Sequence, residues 1–91
     1  MTTTGNLALS VCIHAFRETP DGDVTYCDFD AGEVPHGWTV YTRRDFDDDA
    51  TGHRMFDIDD DEIDFPAADY IAAYTEACNR AAKLGARVVR Y

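Results

Sequence analysis

PAADYIAAYTEACNRAAKLG, residues 66–85, is the run in which apolar positions recur at the three- and four-residue spacing of a helix. Pro66 suits a first helical turn, Asp69 lies near the positive end of the helix dipole, and Gly85 follows Leu84 as a stop signal. The spacing predicts that Ala67, Tyr70, Ile71, Tyr74, Cys78, Ala81 and Leu84 form a stripe packed on a sheet. Thr75, Glu76, Asn79, Arg80 and Lys83 fall on the other side.

The sheet is read outward from this helix. Leu7 to Phe16 alternates with a period of two, which predicts a strand with one apolar face. Thr19 to Asp23 places Pro20 and Gly22 in a tight turn, and Val24 to Phe29 resumes the β pattern, so the two strands form a hairpin. A loop from Ala31 to Gly37 leads to a third strand, Trp38 to Thr42, closed by Arg43 and Arg44. Met55, Phe56 and Ile58 have the spacing of a short fourth strand or a pinned loop, and Arg87 to Tyr91 reads as a last strand, open to a dimer contact if its edge is unpaired. The expected fold is therefore α+β, a small antiparallel sheet against one C-terminal helix in the order β-β-β-(β)-α-β. It forms a single domain over residues 1–91.

A chain of 91 residues has room for one core, and 45% hydrophobic with 12% aromatic residues is enough to fill it. Cys12, Cys27 and Cys78 are odd in number, widely spaced and set in apolar stretches, which reads as buried free thiols in a reducing compartment. The first sixteen residues lack a basic segment ahead of an apolar one, which predicts neither a signal peptide nor a membrane span, and a cytoplasmic protein.

Charge is the outlying property: 18 acidic against 8 basic residues give a formal net charge of -10. Such a surface repels nucleic acid and anionic membranes and attracts cationic proteins. Asp45 to Asp64, DFDDDATGHRMFDIDDDEID, holds ten of the carboxylates. Phe46, Met55, Phe56, Ile58, Ile63 and Phe65 interleave with them, and the reading is that these anchor the segment to the core and make a fixed acidic ridge. Phosphates lie ~7 Å apart along a nucleic-acid strand, and carboxylates on a strand have comparable spacing.

Other readings compete. Asp outnumbers Glu 14 to 4 and Arg outnumbers Lys 7 to 1, a bias that also suits a salt-adapted solvated surface or a GC-rich genome. Asp45, Asp47 and Asp49 have the start of a calcium-loop spacing, but Ala50 stands where the turn needs Gly and Phe56 where a closing Glu belongs. Beginning at Asp47 puts Gly52 correctly and leaves Thr51 and Ile58 as poor ligand positions. His14, His36 and His53 are scattered without zinc spacing, Ser10 has no nucleophile-elbow context, and no glycine-rich phosphate loop occurs. We therefore expect no cofactor, no metal and no catalysis. Trp38, Tyr41, Tyr70 and Tyr74 read as core aromatics rather than stacking platforms for bases.

In size, single α+β domain and acid content, the chain resembles the anti-CRISPR and anti-restriction inhibitors encoded by phages and mobile elements. The likeness is of overall character and carries no shared motif. It implies an inhibitor that occupies the basic surface of a CRISPR surveillance complex, as monomer or dimer, and blocks target DNA without binding DNA itself. The residues expected at the contact are Asp47, Asp48, Asp49, Asp57, Asp59, Asp60, Asp61 and Glu62, with Phe46 or Tyr41 as an aromatic anchor.

Overall fold

The computed structural model describes residues 8–48 and 50–91. Six strands and one helix follow in the order β1 (Ala8–Glu18), β2 (Val24–Tyr26), β3 (Gly37–Asp47), β4 (Arg54–Ile58), β5 (Ile63–Pro66), α1 (Tyr70–Leu84) and β6 (Arg87–Arg90). The expected α+β arrangement, with an antiparallel sheet packed by a C-terminal helix, is what the chain adopts. One pairing departs from antiparallel, since β6 runs parallel to β1.

The long strands β1 and β3 pair along nearly their whole length and form the spine. The shorter strands share its two edges. On the β1 edge, β2 pairs with Phe16, Arg17 and Glu18 while β6 pairs with residues Ser10 to Ile13. On the β3 edge, β5 pairs with residues Gly37 to Val40 and β4 with residues Arg43 to Asp47. The pairing of β3 slips by two residues between β5 and β4, so Asp59 to Glu62 bulges away from the sheet. Helix α1 packs on β1, β3, β5 and β6, leaving the β3–β4 hairpin as an arm beyond it. The radius of gyration, 15.2 Å, accordingly exceeds the ~12 Å of a compact chain of this length.

Strand ends differ from the sequence expectation for local reasons. β2 stops at Tyr26 because the Asp28 carboxylate accepts from the N–H groups of Asp30 and Ala31 and starts a 3-10 turn, Phe29–Ala31. β3 continues past Arg43 and Arg44 because both guanidinium groups find carboxylates, Asp45 on the same strand and Asp59 on the bulge. The expected start of β1 at Leu7 lies outside the described residues. The helix ends as anticipated: Gly85 takes the left-handed conformation at φ 65° and returns its N–H to Ala81.

The buried face of α1 matches the expected stripe only in part: Ala81 is buried and Tyr70 packs against the core, while Ala67 is exposed. Ala73, Ala77 and Ala81 face the sheet, over Val11 and Ile13 of β1 and Val40 of β3, with Trp38, Phe65, Tyr70, Ala86 and Val88 around them. Ile71 is 81% exposed, and Tyr74, Cys78 and Leu84 are also exposed. The strands supply the bulk, so the helix presents its smallest side chains and approaches closely. Arg80, expected on the outer side, is 12% exposed and held by Glu76 and Asp61. Of the thiols expected to be buried, only Cys12 is; Cys27 is half-buried and Cys78 exposed.

Register assigns two faces to the spine. Val11, Ile13 and Ala15 with Thr42, Val40 and Trp38 lie under the helix; Cys12, His14 and Phe16 with Tyr41, Thr39 and Gly37 face the other way. Gly37 is required where it stands. A Cβ there would run into the Phe16 ring and lie 2.6 Å from the Phe65 carbonyl oxygen, which is backbone and cannot swing aside. Gly37→Ala is expected to cost about 2 kcal/mol, read as a lower urea midpoint with an unchanged m-value.

Candidate functional site

The acidic segment folds as the end of β3, the strand β4 and the bulge that precedes β5. What fixes it differs from the expectation. Met55, Phe56, Ile58 and Ile63 are exposed, Phe46 is half-buried, and only Phe65 packs against the core. The segment is held instead by strand pairing and by charge. Arg44 grips Asp59 through two bonds of 2.8 Å, Arg54 meets Asp47 at 2.8 Å, and Arg43 meets Asp45 at 3.0 Å while its guanidinium lies 4.2 Å over the Phe56 ring. The Arg44 hydrogen bonds pull the Asp59 carboxyl below the usual carboxylate range, against a smaller desolvation effect that raises it.

Asp61 does structural work at the bulge. Thr42 falls in the gap between the β5 and β4 pairings, where its backbone groups have lost a strand partner. The Asp59 N–H donates to the Thr42 carbonyl at 2.9 Å. Thr42 in turn donates its N–H to Asp61 Oδ1 at 3.2 Å and its hydroxyl to Oδ2 at 2.6 Å. Arg80 Nη1 lies 3.1 Å from the same Oδ2, tying the bulge to the helix. Thr42 is fully buried, so these bonds replace water that has no access.

The expected contact residues therefore separate into two groups. Asp47, Asp59 and Asp61 are internally neutralised. Among the described residues, Asp48, Asp57, Asp60 and Glu62 make no ion pair; Asp57, Asp60 and Glu62 are exposed, while Asp48 is half-buried and its carboxylate accepts from the Ala50 N–H at 2.9 Å. Asp49 lies outside the described residues. Tyr41 is 4% exposed and cannot serve as a surface anchor. Asp45 and Asp47, the start of the calcium-loop pattern, sit in the regular strand β3 with arginine partners rather than in a loop.

Tyr41 belongs to an aromatic group on the face away from the helix. His14 stacks on Tyr26 with centroids 3.5 Å apart and on Tyr91 at 4.9 Å, and His14 Nδ1 lies 3.2 Å from the Tyr41 hydroxyl. Burial lowers the His14 pKa and raises that of Tyr41, so both are held neutral. Because the folded state resists protonating His14, its stabilising effect is complete above pH 6.5 and is lost as pH falls below that value. Urea midpoints at pH 7.5 and 5.5 should show a larger acid loss for the wild type than for His14→Phe.

Beside this group a cleft of about 520 Å³ opens, lined by Phe16, Val24, Thr25, Tyr26, Thr39, Glu62 and Asp64. Thr39 donates its hydroxyl to Asp64 Oδ1 at 2.7 Å. The sequence did not point to the cleft, because its residues come from four strands and the bulge. Among the described residues no helix is long and apolar enough to cross a membrane, and no cluster of three or more His, Cys, Asp or Glu could hold a metal. Comparison against protein-family models, curated proteins and solved structures finds no match to the chain.

Proposed function

We propose that the protein is a small acidic inhibitor that binds the cationic, nucleic-acid-binding surface of a defence complex, of the CRISPR surveillance type, and blocks target DNA by occupying its place. It acts by binding alone, in the cytoplasm of the cell that carries the complex. The observation that carries this reading is the arrangement of acid on the arm. Asp47, Asp59 and Asp61 are spent on arginines and buried hydrogen bonds that hold the hairpin and bulge in shape, and that shape presents Asp57, Asp60 and Glu62 outward.

Residues on a strand or bulge lose little entropy on binding, which favours a fixed anionic surface over a flexible acidic tail. The net charge of -10 supplies steering toward a positive groove. The long dimension of 50 Å corresponds to roughly 15 nucleotide steps at ~3.4 Å each, enough to cover a groove rather than one contact.

Competition tests the reading. With a labelled target duplex bound to a CRISPR surveillance complex, added protein should displace the duplex. Direct binding of the protein to the complex, measured without duplex, should weaken as salt rises from 50 to 300 mM, because screening weakens the attraction between the two surfaces. Full retention of the duplex at saturating protein and low salt would refute it.

A further inference from the structure

The cleft on the open sheet face combines features that the acidic arm lacks. Phe16, Val24 and Tyr26 form an apolar wall, Thr39 lies at the base, and Glu62 and Asp64 supply carboxylates. The wall is preorganised: Tyr26 pairs with Phe16 across the β1–β2 ladder, and its ring lies nearly parallel to His14, 12° apart at 3.5 Å. The Asp64 carboxylate is oriented through Oδ1 by the Thr39 hydroxyl. Among the described residues, neither Glu62 nor Asp64 is neutralised by an ion pair, in contrast to Asp45, Asp47, Asp59 and Asp61 on the same segment.

Those groups select an occupant. An anion or a nucleic-acid base with its phosphate would meet two carboxylates. A metal ion would find too few ligands for an oxygen cage. A planar cation with an apolar stem fits every part: the stem lies along Val24 and Phe16, the plane stacks on an aromatic ring, and the donor fork meets the carboxylates. An ammonium group would use the charge and forgo both the stacking and the fork.

We propose that this cleft seats an arginine side chain projecting from the protein partner. The inference rests on the reading of the chain as a binder of cationic protein surfaces, and it locates one defined contact beside the arm, with Glu62 shared between the cleft and the acidic face. The volume of about 520 Å³ lies within the ~300–1,000 Å³ of ligand clefts, so a side chain enters with its backbone at the mouth.

The test uses a probe in place of the partner. Acetyl-arginine-methylamide is titrated into the 15N-labelled protein, with acetyl-lysine-methylamide as the comparison. The expected result is saturable shifts at Phe16, Val24 to Tyr26, Thr39 and Asp64, with the arginine probe binding at least about threefold more tightly than the lysine probe. Glu62→Gln should weaken arginine binding by about two- to fivefold at an unchanged melting temperature. Absence of saturable shifts at the cleft, equal binding of the two probes, or indifference to Glu62→Gln would overturn the proposal. The outcome is separable from that of the duplex competition. Displacement of duplex without probe binding removes the cleft from the contact and leaves the inhibitor reading standing; probe binding without displacement leaves an arginine site and removes the inhibitor reading.

Discussion

Asp61→Ala is expected to lower stability by about 3 kcal/mol and the melting temperature by roughly 12–24 °C. The substitution removes the acceptor of both Thr42 bonds at a fully buried position, and each orphaned donor costs about 1–3 kcal/mol. It also takes from Arg80, only 12% exposed, one of its two carboxylates. The estimate stays near the lower end because Glu76 remains and because Asp61 itself is partly in water. Asp60→Ala, next to it on the bulge and exposed, should change stability by no more than about 0.5 kcal/mol. Thermal melts of the two variants give the contrast: adjacent aspartates, one holding the fold and one facing outward. Equal melting temperatures would mean that Asp61 does not bridge the gap in the β3 ladder.

Reversing Asp57 and Asp60 together to Lys is expected to weaken binding to the defence complex by about 100-fold or more. Both side chains are exposed, and among the described residues neither makes an ion pair, so the fold should be retained. The change replaces two attractions with two repulsions against a cationic surface, and like-charge contact across an interface costs several kcal/mol. Neutral replacement by Asn at both positions should give an intermediate loss, of about tenfold. Changing Asp47 to Asn serves as the internal comparison. Its carboxylate is already committed to Arg54, so its removal should affect binding less than the loss of an outward aspartate. Anisotropy with a labelled duplex reads all three variants on one scale.

Much of the fold was legible because it depends on local pattern. The alternation in Ala8 to Phe16, the turn at Thr19 to Asp23 and the stop at Gly85 each reflect backbone preferences of a few neighbouring residues. The buried side of α1 was legible only in part from hydrophobicity: Tyr70 and Ala81 pack on the core as read, but alanine and isoleucine both count as apolar, and Ile71 faces outward while Ala73 and Ala77 face the sheet. Which one faces the sheet depends on the volume that Val11, Ile13, Val40, Trp38 and Phe65 already occupy there.

The acidic segment illustrates the same divide. Its composition suggested a uniform ridge, yet its members differ in role through partners far away in the chain. Arg44 claims Asp59 from 15 residues away, and Thr42 claims Asp61 from 19. Neither link leaves a mark in the local sequence, because the two-residue slip between β4 and β5 that makes them possible is a property of pairing with β3. Tyr41 was misplaced as an exposed anchor for a similar reason. Its strand position puts it on the face away from the helix, and His14, joined to it by hydrogen bond and flanked by Tyr26 and Tyr91, belongs to the aromatic group that covers it.

Inhibition by the acidic arm requires that its carboxylates be held at fixed positions before any partner arrives. Heteronuclear 15N NOE values across Arg54 to Asp61 in the free protein measure this directly. Values matching those of β1 and β3 are predicted; values that drop to those of a freely moving loop would contradict the account.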